Sequence, residues 1–208
     1  MDVKVPEGDV YIHCGDISFR GELDIIRSYC NWVKELPHKS KLQINGNHEV
    51  GIRYGSKRDV VLQMFRDAGL SYLENDGIEI DGTYFWGSPI TPEFCGWEFM
   101  EPRGKGMAKV WEKISEKTNV IICHGSPYGI LDQVPTGIPG HKESVGCEEL
   151  LKRINVLKPL GHLKAVCFGH LHRDNNEPPV EIDGIKFCNA SICNNAYQPT
   201  NSPIAIDI

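Results

Sequence analysis

The chain has 208 residues, 40% of them hydrophobic and 24% charged, a length and balance that suit one domain (1–208) with a sizeable core. Its formal net charge of -6 and the lack of a dense Lys/Arg run argue against a nucleic-acid backbone as partner. No stretch of about 18 apolar residues is present to span a membrane, and Met1–Glu7 lacks a signal-peptide core.

In chain order, Asp9–Cys14 is an apolar run bounded by turn signals and predicts a buried strand. Glu22–Leu36 carries Leu23, Ile26, Cys30 and Val33 at helical spacing, and Pro37 ends that helix. Lys41–Ile44 predicts a strand running into Gly46. Arg58–Ala68 predicts a helix, with Val61, Leu62 and Phe65 on one face and Gly69 closing it. The Asp81-Gly82 pair predicts a hairpin between Ile78–Ile80 and Thr83–Trp86. Residues 88–104 read as a long surface loop, Gly106–Ile114 as a short helix and Asn119–Cys123 as a second buried strand. Residues 125–144 read as another long loop, Glu148–Val156 as a helix and Lys164–Phe168 as a strand. Asp183-Gly184 predicts a hairpin between Val180–Ile182 and Ile185–Cys188, and Pro203–Ile208 predicts a final strand. Strands alternating with helices imply a mixed α/β layered domain with helices outside. Two long loops in such a domain point to a binding site.

Eight cysteines occur without a Cys-x-x-Cys knuckle, several of them inside apolar runs. Reduced thiols packed as small hydrophobes are expected, and with them a cytoplasmic location.

Four predicted strands end in a side chain suited to binding a metal: Gly15-Asp16, Gly46-Asn47-His48-Glu49, His124-Gly125 and Gly169-His170-Leu171-His172. Oxygen and nitrogen donors without thiolate suit Mn²⁺, Fe²⁺ or Zn²⁺, one or two ions per chain. Such ions hold a phosphate ester and activate a water. Asp16 after a glycine turn can bridge two cations, and Asn47 offers a neutral carbonyl oxygen. His48, next in sequence, suits the substrate side, where it can donate a proton to the leaving oxygen. Glu49 is placed to orient His48 from behind. His170 and His172, two residues apart, suit two different ions. Taken singly, each piece also has a plain reading: a turn Asp, an Asn turn or a half-exposed core His. His13 reads as a packing residue. The loop Phe94–Phe99 can stack on a base, pack on the domain or make a homodimer contact, and Arg103 and Tyr128 are further substrate-contact candidates.

These four pieces, in this order, resemble the calcineurin-like metallophosphoesterase superfamily, whose blocks run Asp-x-His, Gly-Asp, Gly-Asn-His-Asp/Glu, Gly-His and Gly-His-x-His. Cys123 stands where the third of the blocks found here usually has Gly. The closer likeness is to the metallophosphoesterase-domain-containing, class III phosphodiesterase-like branch. It is carried by Leu36-Pro37-His38-Lys39, Gly87-Ser88-Pro89, Phe94-Cys95-Gly96-Trp97, Pro102-Arg103-Gly104, Pro127–Asp132, Gly146-Cys147 and Asn189-Ala190-Ser191. The resemblance implies a four-layer αββα sandwich with metals at the strand ends. It implies Asp16 as bridging carboxylate, Asn47, His124 and His170 as further ligands of one ion, and His172 as ligand of the other. It implies His48 as the residue that meets the phosphate and assists the leaving group.

The Asp-x-His block has no match in Met1–Gly8, so the domain is expected to be N-terminally shortened, without its first strand and with an open sheet edge. Two readings follow. One is a metal-dependent hydrolase of a small phosphodiester, with a cyclic nucleotide among the candidate substrates. The other is a weakened or inactive one-ion member that binds a nucleotide or a protein.

Overall fold

The computed structural model describes residues 3–208. Its elements are β1 (Val10–Cys14), α1 (Leu23–Lys34), β2 (Ser40–Ile44), α2 (Arg58–Asp67), β3 (Ser71–Tyr72), β4 (Asp76–Ile80), β5 (Thr83–Ser88), β6 (Thr91–Pro92) and β7 (Met100–Glu101). They continue as α3 (Lys105–Trp111), β8 (Val120–Cys123), β9 (Gln133–Pro135), β10 (Lys142–Ser144), α4 (Glu148–Leu157), β11 (Ala165–Phe168), β12 (Val180–Ile182) and β13 (Ile185–Asn189).

The helices form where the apolar spacing predicts them. Ile26 and Val33 of α1 and Val61 and Phe65 of α2 are fully buried. α2 closes in a Schellman motif. Gly69 takes φ 75°, its N–H donates to the Arg66 carbonyl, and the Leu70 N–H donates to the Phe65 carbonyl.

Two sheets carry the site. One has the parallel order β1-β2-β3, and the other has the order β12-β13-β11-β8-β5-β4 with antiparallel edges. Alternation along the strands divides the core. Cys14, Leu42 and Ile44 of the first sheet, with Leu73 just after β3, meet Phe85, Val120, Ile122, Ala165, Cys167 and Cys188 of the second. The intervening residues Trp86, Ile121, Val166, Phe168 and Phe187 pack instead with Met107, Trp111, Leu150 and Ile154 from α3 and α4. Both faces of β8 and β11 are therefore buried, which is why their sequences are continuously apolar. The result is a four-layer αββα sandwich. β1 pairs only with β2 among the described residues, so one edge of the smaller sheet is open.

Three sequence expectations need correction. The 88–104 loop contains the β6–β7 bridge, held by Thr91 N–H to Phe99 O and Glu93 N–H to Glu101 O. The 125–144 loop contains the β9–β10 hairpin. Residues 203–208 form no strand. Ile206 packs on the layer between the sheets and Lys186 Nζ of β13 donates to the Asp207 carbonyl at 2.7 Å, but among the described residues no strand pairs with the segment's backbone. Elsewhere all eight cysteines are free, six of them buried.

Glu49 also departs from expectation. It does not hydrogen-bond His48. Its fully buried carboxylate accepts Asp16 N–H at 2.9 Å and Gly46 N–H at 2.6 Å on Oε2, and Ser18 N–H at 3.1 Å and Ser18 O–H at 3.3 Å on Oε1. It thereby ties the turn after β1 to the turn after β2. Burial and the nearby Asp16 charge push its carboxyl pKa up to about 7, while the N–H donors pull the other way. All four of its hydrogen-bond partners are donors, so the ionised form fits despite the Asp16 charge. Glu49→Gln places an amide N–H₂ against one of these donors. We expect a loss of about 3 kcal/mol in urea unfolding of the metal-free chain.

His13 packs, as expected, with its ring 4.9 Å from Tyr29. Its Nδ1 accepts the Gly15 N–H at 3.2 Å, which requires a lone pair there. Burial pushes its pKa down to about 4, with the Asp16 charge opposing. A depressed imidazole pKa means the unfolded chain takes up a proton first. The His13 contribution to stability is thus present above about pH 6.5 and is lost as pH falls toward 4. Metal-free His13→Asn keeps an acceptor at this position without a titrating ring. Its urea midpoint should fall less between pH 7.5 and 5 than that of the parent chain.

Candidate metal centre

The carboxyl ends of β1, β2, β8 and β11 converge, as they do at ligand sites of open α/β sheets. Each strand is followed by one polar residue that reaches the same point. Asp16 and His170 both sit at positive φ, 61° and 63°, a conformation uncommon outside glycine. That backbone turns each side chain back over its strand end. Gly46 takes no side chain for a steric reason. A Cβ there would lie 2.3 Å from Asp16 Oδ1 and 2.5 Å from His124 Cε1.

Ligand atoms of Asp16, His124 and His170 lie within 4.8 Å of one another. His124 Nε2 is 3.1 Å from Asp16 Oδ2 and 2.9 Å from Asn47 Oδ1. On the other side of its ring, His124 Nδ1 is 2.7 Å from the Cys14 carbonyl. A carbonyl only accepts, so Nδ1 carries the proton, and the Nε2 lone pair points at the two oxygens. Acceptors facing acceptors is costly in a buried place. Either His124 takes a second proton or a cation sits between them. With no cation, burial opposes that second proton, but the Asp16 charge and hydrogen bond win, and the His124 pKa is raised. Asp16 is held far below the usual carboxylate range. Burial works against its charge, but His124 and the other imidazoles outweigh it. Burial, and then the His124 charge, push His170 down to about 3, which keeps its ring neutral and able to ligate. Two oxygens and two imidazole nitrogens without thiolate fit a divalent Mn, Fe or Zn ion.

His172 lies outside this group, half-buried, its ring 4.7 Å from Tyr197. His48 is half-buried beside the group. Its backbone N–H donates to Asp16 Oδ1 at 3.0 Å, and its Nδ1 lies 3.0 Å from the Phe19 carbonyl. Nδ1 therefore carries a proton and Nε2 faces away from that contact. Trp97 packs on the His48 ring at 4.4 Å and Phe19 at 5.2 Å. The 94–99 loop is thus divided: Phe99 is fully buried, Trp97 meets His48 and Phe94 is exposed. Arg103 does not reach the site. Its guanidinium donates to the Val145 and Gly146 carbonyls and pairs with Glu148. Phe19 and Tyr197 join the site without a motif to mark them. An aromatic two residues after an Asn-Asn turn is the only local hint of Tyr197.

A family model described as calcineurin-like phosphoesterase matches residues 2–174. Human metallophosphoesterase domain-containing protein 1 is 33% identical over 227 residues, which take in 99% of this chain and 66% of the human protein. The chain therefore spans just under two thirds of that relative. UPF0046 protein K07C11.7 of Caenorhabditis elegans is 32% identical, covering 100% of this chain and 70% of the worm protein. The solved structure of TT1561 of Thermus thermophilus shares the fold at TM-score 0.52 and 11% identity, over 88% of this chain and 75% of that one. With the matched family model spanning the strand ends that bring Asp16, Asn47, His124 and His170 together, the chain belongs to the calcineurin-like phosphoesterase family.

Proposed function

We propose that the chain hydrolyses a small phosphodiester with a divalent metal held by Asp16, Asn47, His124 and His170. The observation that carries this is the meeting of those four donors around the His124 Nε2 lone pair. A divalent ion bound there supplies an activated water and positive charge for the phosphoryl oxygens. The chain's own residues do the rest. The Cys14 carbonyl fixes the His124 tautomer. Glu49 fixes the turns that present Asp16 and Asn47. The Phe19 carbonyl holds His48 Nδ1–H, leaving Nε2 to meet a phosphoryl or leaving-group oxygen. His172, outside the group, is the candidate ligand for a second ion.

A second reading has its own observation. The donors gather for one ion, and His172 stands apart with an aromatic neighbour. A one-ion binding member with little turnover would look like this. The two readings differ in metal content and rate.

The test uses protein loaded with Mn²⁺ and bis(4-nitrophenyl) phosphate. His48→Ala should retain the metal and lose roughly 10²- to 10⁴-fold in turnover. Unchanged turnover in both His48→Ala and Asn47→Ala would remove the hydrolase assignment. Metal analysis of the dialysed chain should find at least one tightly held ion, and Asn47→Ala should weaken it by at least tenfold. One ion with no turnover would leave the binding-module reading in place.

A further inference from the structure

The hydrogen bonds of Glu49 hold the turns after β1 and β2, and none of them reaches the turn after β11. That turn carries His170 and is strained. His170 sits at φ 63°, and the Leu171 N–H donates back to the Gly169 carbonyl at 2.6 Å. A hydrogen bond spanning three residues, with positive φ at the middle one, marks the rare form of γ-turn. Such a conformation persists only where its surroundings impose it.

The imposing group comes from β13. Asn189 ends that strand, opposite Phe168 in the parallel register, and the Ala190 N–H donates to the Phe168 carbonyl at 2.6 Å. Asn189 is 4% exposed, and both ends of its amide are used. Its Nδ2 donates to the Leu171 carbonyl at 2.8 Å, and its Oδ1 accepts the Ser191 N–H at 3.2 Å. The Ser191 bond settles which end of the amide is which, because a backbone N–H needs an acceptor. The N–H₂ is left facing Leu171. Leu171 is itself buried, so its carbonyl depends on a protein donor. That carbonyl belongs to the peptide unit between Leu171 and His172. Holding it fixes the far end of the His170 turn and the plane from which His172 departs. Arg173 secures the next carbonyl along. Its Nη1 donates to His172 O at 2.9 Å, while its Nη2 donates to Leu131 O at 2.8 Å.

We infer that Asn189 is a positioning residue for the metal centre, whose amide holds the Leu171 carbonyl and thereby keeps the His170 imidazole in its ligating orientation. The Asn189-Ala190-Ser191 run, left without a task by the donor set, gains one here. The inference rests on His170 being a ligand, as proposed above. Without the amide the turn relaxes toward ordinary φ, and the His170 ring leaves the point where Asp16, Asn47 and His124 meet.

Mn²⁺ titration of the full chain, followed by the electron paramagnetic resonance of the free ion, tests this without turnover. Asn189→Leu keeps the side-chain volume and removes the donor. Its tightest site should weaken roughly 10- to 100-fold. The visible bands of the Co²⁺-loaded variant should also shift, because a ligand has moved. Asn189→Ala should do the same and serves if the first variant does not fold. Ile154→Val, in the α4 layer, is the control: it should lower the urea midpoint and leave affinity and bands alone. Asn189 variants that lose stability yet keep the parent Mn²⁺ affinity and Co²⁺ bands overturn the inference. In the parent chain, Zn²⁺ should slow hydrogen exchange of the Asn189 side-chain N–H₂ in NMR spectra, and unchanged exchange also overturns it. His170→Ala separates this inference from the reading beneath it. Unchanged Mn²⁺ affinity there removes His170 from the donor set and the positioning role with it. Weakened binding in both His170→Ala and Asn189→Leu, in a chain without turnover, keeps the positioning role and removes only the hydrolase reading.

Discussion

The four hydrogen bonds to the buried Glu49 carboxylate hold the rest of the site in place. β1 and β2 are paired parallel strands, so their exits leave the sheet side by side and in the same direction. Nothing in the ladder itself fixes what those exits do next. Glu49 fixes it by accepting from both turns at once. Asp16 at φ 61° and Asn47 are then presented as one rigid unit. A negative charge fully out of water is tolerable only because its donors surround it. The same charge sits next to the place where a cation would bind, so the strut and the ion support each other.

The fold was legible because each strand announces its surroundings. Val120–Cys123 and Ala165–Phe168 are apolar throughout, and both faces of each are covered. The helices were equally plain from their spacing and from the Gly69 and Pro37 stops. The chemistry-bearing residues were legible for a different reason. A ligand at the end of a parallel strand needs a sharp exit, and Gly15, Gly46 and Gly169 mark three of the four. At Gly46 the need is visible, because a methyl group would enter the Asp16 and His124 side chains.

What the sequence hid depends on partners distant in the chain. Pro203–Ile208 alternates like a strand, yet a strand exists only where a neighbour pairs with it, and none does among the described residues. β6 and β7 have two residues each and take their identity from one another across the 94–99 loop. Glu49 read as a partner of its neighbour His48, but its side chain points to backbone donors of Asp16 and Ser18, more than 30 positions away. Phe19 and Tyr197 lie near opposite ends of the chain and meet only through the fold, so no local pattern could join them.

The charge near the donors bears on which ester fits. Asp16 supplies one negative charge and Glu49, once a cation beside it favours its ionised form, a second, while Asn47 and the neutral His170 add none. With a divalent ion at this place His124 carries no second proton, and the group is close to neutral. A phosphodiester brings one negative charge and a monoester brings up to two. A near-neutral single-ion site therefore offers little long-range attraction to an anionic ester of either kind. The chain as a whole, at -6 with these two carboxylates included, adds no attraction of its own. Discrimination between esters at such a site is then a matter of contacts within a few ångströms of the donors, where screening and net charge count least.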